Sequence, residues 1–194
     1  MEVIAMNRNI NIYRLVIAAL LVAVGIIIPM TMPVKVYIPP MSFTLASHVA
    51  IFLAMFISPG AAVIVALGTT LGFVFSGLPI DVWVRAFSHV IWALGGALWL
   101  KKFPNTLKKP VSSVIFCLVI AIVHGALELL VIVSLYFSGL SAMVQKITDA
   151  GFLFVFFLVF VGTIAHSCAD YIISNVIWLP LSKIKGVTKI STVK

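Results

Sequence analysis

Three of the six apolar runs in this chain carry ionisable residues spaced four apart: Asp81-Arg85-His89, His124-Glu128 and His166-Asp170. Side chains at i and i+4 share one helical face, so each set forms a polar stripe pointing in a single direction. A charge at the bilayer centre costs at least about 2.5–3.5 kcal/mol even on lenient insertion scales, so such stripes must face a cavity or one another. The pattern predicts a polar functional site enclosed by a helical membrane bundle.

The membrane assignment itself rests on composition. The 194 residues are 63% hydrophobic and 9% charged, with a mean hydropathy of +1.25, whereas about a quarter of residues are charged in an average soluble domain. Apolar runs and Pro/Gly breaks place helices near Tyr13 to Met32, Phe43 to Ile57, Gly60 to Ser76, Pro79 to Leu100, Val111 to Phe137 and Ala150 to Leu179. The expected fold is an all-α integral membrane protein, a six-transmembrane-helix bundle forming a single membrane domain over residues 1–194. The first run is too long for a signal-peptide core and should remain as a transmembrane helix. Ser58-Pro59-Gly60 allows only a tight turn between the second and third spans, which should form an antiparallel pair. No internal repeat is evident, which argues against an inverted-repeat carrier.

The net charge of +8 does not point to nucleic acid, because the basic residues are scattered in linkers and tails rather than interleaved with aromatics. It sets topology instead. Arg8, Arg14, Lys101, Lys102, Lys108, Lys109, Lys183, Lys185, Lys189 and Lys194 fall on one side of the six-span arrangement, while Lys35 and Lys146 fall on the other. The positive-inside rule puts both termini in the cytoplasm. Cys117 and Cys168 lie in apolar stretches without metal-site spacing and read as buried structural residues.

At about 1.5 Å per helical residue, Arg85 lies roughly 9 Å and His89 roughly 15 Å from the outer end of the fourth span, with Glu128 roughly 13 Å deep on the fifth. His48, six residues into the second span, falls level with Arg85. These four residues form a candidate substrate layer, with Arg85 either an anion anchor or one half of an ion pair with Asp81 or Glu128. Trp92 lies on the Arg85 side of its helix and is a candidate ring platform, unlike Trp83 and Trp99, which read as interfacial anchors. Counting inward from Ala150 places His166 in the inner half and Asp170 near the cytoplasmic interface, a separate structural or docking pair. His124 lies between the two groups. Two small-xxx-small patterns, Ala19 to Ala23 and Gly68 to Gly72, allow close helix approach.

The length, the six spans, Ala19-x-x-x-Ala23, the loop from Pro33 to Ser42, and Ser42-Phe43-Thr44-Leu45-Ala46-Ser47-His48 running into Pro59-Gly60 together resemble the substrate-binding S component of an energy-coupling factor vitamin transporter. The likeness covers Tyr13 to Leu179. The stretch from Ile28 through Lys102, with Arg85-Ala86-Phe87-Ser88-His89, is most similar to the niacin-specific members. The resemblance implies a pocket near the outer face, built mainly by the fourth to sixth spans and covered by the loops after the first and third. It implies a bacterial cell-membrane location, and docking of the Ala19/Ala23 face on a transmembrane coupling component that carries two cytosolic ATPases. The family mechanism it implies is toppling of the loaded subunit in the membrane. The chain has no P-loop, so ATP hydrolysis falls to partners. For niacin, Arg85 would pair with the carboxylate, His89 or Glu128 would engage the pyridine nitrogen, and Trp92 or Tyr37 would cover the ring. Pantothenate would use the same Arg.

Two other classes compete. Intramembrane His and carboxylates are the usual parts of proton relays, so an independent proton-coupled carrier is the main alternative. An intramembrane enzyme using His48, His124 and His166 as metal ligands, or His124-Glu128 as an acid/base pair, is disfavoured. The spacing is not HExxH, and the three histidines sit at different counted depths. No catalytic residue, metal site or cofactor is expected.

Overall fold

The computed structural model describes residues 2–38, 41–141 and 151–193. Lys146, Ala150 and Lys194, used above for topology and for the start of the last span, lie outside the described residues. The elements run α1 (Glu2–Thr31), β1 (Lys35–Ile38), β2 (Met41–Thr44), α2 (Val49–Ile57), α3 (Pro59–Phe75) and α4 (Ile80–Lys102). They continue through a 3-10 turn (Thr106–Lys108), α5 (Pro110–Ser138), α6 (Phe152–Phe156), a π-helical segment (Phe157–Val161), α7 (Gly162–Leu181) and α8 (Lys185–Ile190). Among the described residues, three helical stretches, Asn9–Thr31, Pro110–Ser138 and Leu153–Leu181, are long and apolar enough to cross a membrane.

The second expected span is helical only in its later part. Met41–Thr44 instead pairs antiparallel with Lys35–Ile38, in the register Lys35↔Thr44 and Ile38↔Met41. The loop expected from Pro33 to Ser42 is therefore largely a hairpin. Between strand and helix, Ala46 adopts φ +67°, a left-handed conformation that costs a non-glycine residue roughly 1 kcal/mol or more. The chain is held there by tertiary hydrogen bonds described below, which hydropathy does not encode.

What remains of the second span is buried on every side: all nine residues of α2 are in the core, as expected for a helix that is apolar all round. Ser58 ends it and starts α3, its Oγ accepting from the Ala61 amide at 3.1 Å, with Pro59 at the first helical position. Around α2 pack Trp92, Phe116, Leu100 and Tyr171. The outer surface is apolar as well, with Leu15, Leu20, Ile27, Leu71, Ile91 and Val176 exposed, the pattern of a bundle whose solvent is lipid.

The Gly68-x-x-x-Gly72 pattern is spent inside the chain. A Cβ at Gly68 would lie 2.6 Å from Val22 Cγ2, and one at Gly72 would lie 2.3 Å from Ile26 Cδ1. The glycines let α1 lie directly on α3. Ala19 and Ala23, on the flank of this contact, are exposed. The chain end is anchored too: Arg14 Nε donates to the Ile190 carbonyl at 2.8 Å, and the Thr192 amide donates to the Phe56 carbonyl at 3.1 Å. Cys117 and Cys168 are free thiols, half-buried, with their sulfurs 3.4 Å apart.

Candidate functional site

Asp170, fully buried on α7, closes the turn that leads into α2. Its Oδ1 accepts from the Ala46 amide at 2.7 Å, and its Oδ2 accepts from the His48 amide at 2.8 Å. His48 Nδ1 lies 3.1 Å from the same Oδ2, and the Ser47 hydroxyl donates to it at 3.5 Å. A carboxylate at the N-terminus of α2 also complements the helix dipole. His166, one turn before Asp170, has Nε2 3.4 Å from Oδ2 and 3.0 Å from the Ser47 hydroxyl. The carboxylate's acceptor positions are thus occupied by the fold itself.

A second carboxylate, Glu128 on α5, is 2% exposed. Its Oε2 accepts from Arg85 Nε; its Oε1 lies 3.0 Å from His89 Nε2 and 3.5 Å from His124 Nε2. Arg85 therefore pairs across the bundle with Glu128 rather than with Asp81, one turn away on α4. Ser88 donates to the Arg85 carbonyl at 2.7 Å.

His48 joins the two groups. Its ring centroid is 4.9 Å from that of His89, 4.7 Å from His124 and 5.0 Å from His166. The separation expected between an outer layer and an inner His166-Asp170 pair is thereby overturned: all of these side chains form one cluster. The helical depth count fails because Met41–Thr44 is a strand. A strand advances about 3.3 Å per residue against 1.5 Å for a helix, so His48 reaches deeper than its sequence distance suggests. Gly125 contributes from the other side, since a Cβ there would meet the Phe160 carbonyl at 2.9 Å. Its absence lets α5 lie against the π-helical segment that precedes α7.

The cluster borders a cavity of about 80 Å³, lined by Arg85, His89, Glu128, His48, His124 and His166 on its polar side and by Phe43, Phe73, Ile51 and Val82 on its apolar side. This is several times the roughly 10–15 Å³ that a single water requires. Ser42, Phe43 and Thr44 of β2 supply part of the wall, beside residues of α4, α5 and α7. Phe43 and Ser47, assigned to a membrane helix by hydropathy, were not legible as site residues.

Trp92 is not in the cavity wall. It is 1% exposed and stacks on the His124 ring from the core side, with centroids 4.9 Å apart and an interplanar angle of 29°. It backs the cluster and does not cover a ligand. Tyr37 is paired with Ser42 through the hairpin backbone, and its side chain lies outside the described part of the chain.

The trio weighed from the sequence for a metal, His48, His124 and His166, is not a close donor group among the described residues, but two other trios are. Donor atoms of His48, His89 and His124 lie within 4.8 Å of one another, as do those of His48, His166 and Asp170. Chemically, the pocket offers a guanidinium suited to an anion, imidazoles able to donate or accept, and an apolar wall suited to a flat ring.

No family model matches the chain, and no solved structure matches it. The niacin transporter NiaX of Lactococcus lactis subsp. cremoris (strain MG1363) is 41% identical over 166 residues, which are 85% of this chain and 72% of that protein. With likeness of that degree across most of both chains, this helical membrane protein belongs to the family of the niacin transporter NiaX, the niacin-specific branch of the S components that its sequence resembles.

Proposed function

We propose that the protein is the substrate-binding subunit of an energy-coupling-factor transporter in a bacterial cell membrane, and that it captures nicotinate from outside the cell. Its single membrane domain crosses the bilayer six times with both termini in the cytoplasm. The observation that carries the substrate assignment is the buried Arg85 at the cavity. Glu128 engages its Nε, so the terminal Nη pair keeps its fork for a ligand carboxylate. His89 and His48 line the side of the cavity that would take the pyridine nitrogen. Phe43 and Phe73 take the ring-covering role first given to Trp92 and Tyr37. The 41% identical niacin transporter supports the same substrate.

Release inward proceeds by toppling of the loaded subunit, driven by a transmembrane coupling component with two cytosolic ATPases. The exposed Ala19 and Ala23 form its docking face. Calorimetry with purified protein tests the binding half: nicotinate binds the native chain, and Arg85→Ala abolishes binding. Near-native affinity in that variant removes the assignment. Pantothenate titrated in the same cell separates the two carboxylate vitamins.

One observation favours a second reading, an independent proton-coupled carrier. Glu128, His89, His124, His48 and Asp170 form an unbroken run of contacts, the composition of a proton relay. Uptake by the chain alone in proteoliposomes under a proton gradient would support it; dependence on the coupling module and ATP supports the S-component reading.

A further inference from the structure

We infer that His48, His89, His124 and Glu128 form a binding site for a first-row divalent transition metal, with zinc the ion expected from the donor chemistry. Tetrahedral zinc with nitrogen and oxygen ligands at about 2.0–2.1 Å places its donors about 3.3–3.4 Å apart. His89 Nε2 and His124 Nε2 are 3.3 Å apart. Glu128 Oε1 lies 3.0 Å from the first and 3.5 Å from the second. These three atoms outline one face of a tetrahedron. With its Nδ1 engaged by Asp170 at 3.1 Å, His48 has Nε2 left to offer as the fourth donor, its ring 4.7 Å from that of His124 and 4.9 Å from that of His89.

The surroundings fit the same chemistry. Metal-bound histidine characteristically donates its second ring N–H to a carboxylate, which fixes the tautomer and aims the other nitrogen at the ion; Asp170 holds His48 in that way. Arg85 holds Glu128 through its other oxygen. Counting formal charges with neutral imidazoles, Arg85 stands against Glu128 and Asp170, so this buried cluster has an excess negative charge that favours a cation. The alternative trio of His48, His166 and Asp170 is a poorer site, because Asp170 already accepts from the amides of Ala46 and His48. Imidazole with a single carboxylate selects zinc, nickel or copper over magnesium or calcium.

The test uses the full chain in detergent, its affinity tag removed and the protein stripped with a chelator, then titrated with Co2+. The expected result is one Co2+ per chain with the strong visible absorption of four-coordinate cobalt, displaced by Zn2+. Both His124→Ala and the more conservative His124→Gln lose that absorption while keeping the near-ultraviolet dichroism of the folded chain. Asp170→Asn weakens Co2+ binding about 10- to 100-fold. Failure of the native chain to take up Co2+ stoichiometrically, or unchanged spectra in both His124 variants, overturns the site. Nicotinate calorimetry on the same preparations separates the two readings. Nicotinate binding without metal uptake removes the metal site alone, and metal uptake without nicotinate binding supports the metal site and removes the substrate assignment.

Discussion

His48 Nδ1 lies 3.1 Å from Asp170 Oδ2 across 122 residues of sequence, and this contact joins the hairpin end of α2 to the last long helix. The same carboxylate accepts the backbone amides of Ala46 and His48, so it secures both the left-handed turn and the position of the His48 ring.

Asp170→Ala should therefore destabilise the protein by about 2–6 kcal/mol, since two buried amides lose their acceptor and each unsatisfied group costs about 1–3 kcal/mol. Thermal unfolding of the purified protein, followed by tryptophan fluorescence, should show a midpoint several degrees lower. A midpoint equal to that of the native chain would mean that the turn holds itself.

Arg85→Lys keeps the charge and removes the planar fork. Nicotinate affinity should fall about tenfold or more, because a point charge does not reproduce bidentate carboxylate recognition. Calorimetry measures this directly, and equal affinity would show that charge alone recruits the ligand.

The two small-residue patterns should respond oppositely to bulk. Gly68→Leu forces a side chain into Val22 and should cost about 1–3 kcal/mol by overpacking. Ala19→Leu, on an exposed face, should shift stability by no more than about 0.5 kcal/mol. If Ala19 docks on a coupling component, the same variant lowers ATP-driven uptake in the assembled transporter while nicotinate affinity stays native.

Cys117 and Cys168 have sulfurs 3.4 Å apart on α5 and α7. Mild oxidation should join them within one chain, since small side-chain movements close that gap to the bonded distance of about 2.0 Å. Intact-mass analysis after alkylation reads the outcome, and two alkylated thiols after oxidation would place the helices farther apart.

Much of the candidate cluster was legible in the sequence. The four-residue spacing fixed that Arg85 and His89 share one face of α4, and that His124 and Glu128 share one face of α5. Counting 1.5 Å per residue along two regular helices put Arg85 and Glu128 within roughly 4 Å of the same depth, and they do pair. The same count misplaced His166 and Asp170. It took Phe43–Ser47 as helix and so put His48 too shallow, and it counted the last span from Ala150, which lies outside the described residues. Trp92 was assigned to the right face of α4 but to the wrong depth within it, because helical phase alone does not say which side of His124 the ring occupies.

By itself the sequence determined the solvent of this protein, the positions of its long helices and the residues too costly to leave in lipid, because hydropathy and the helical period act locally. Only the tertiary structure decided that three separate stripes become one cluster around His48. That outcome depends on a local hairpin, a left-handed Ala46 and the Asp170 carboxylate that holds this turn from more than a hundred residues away, a contact for which no local pattern codes.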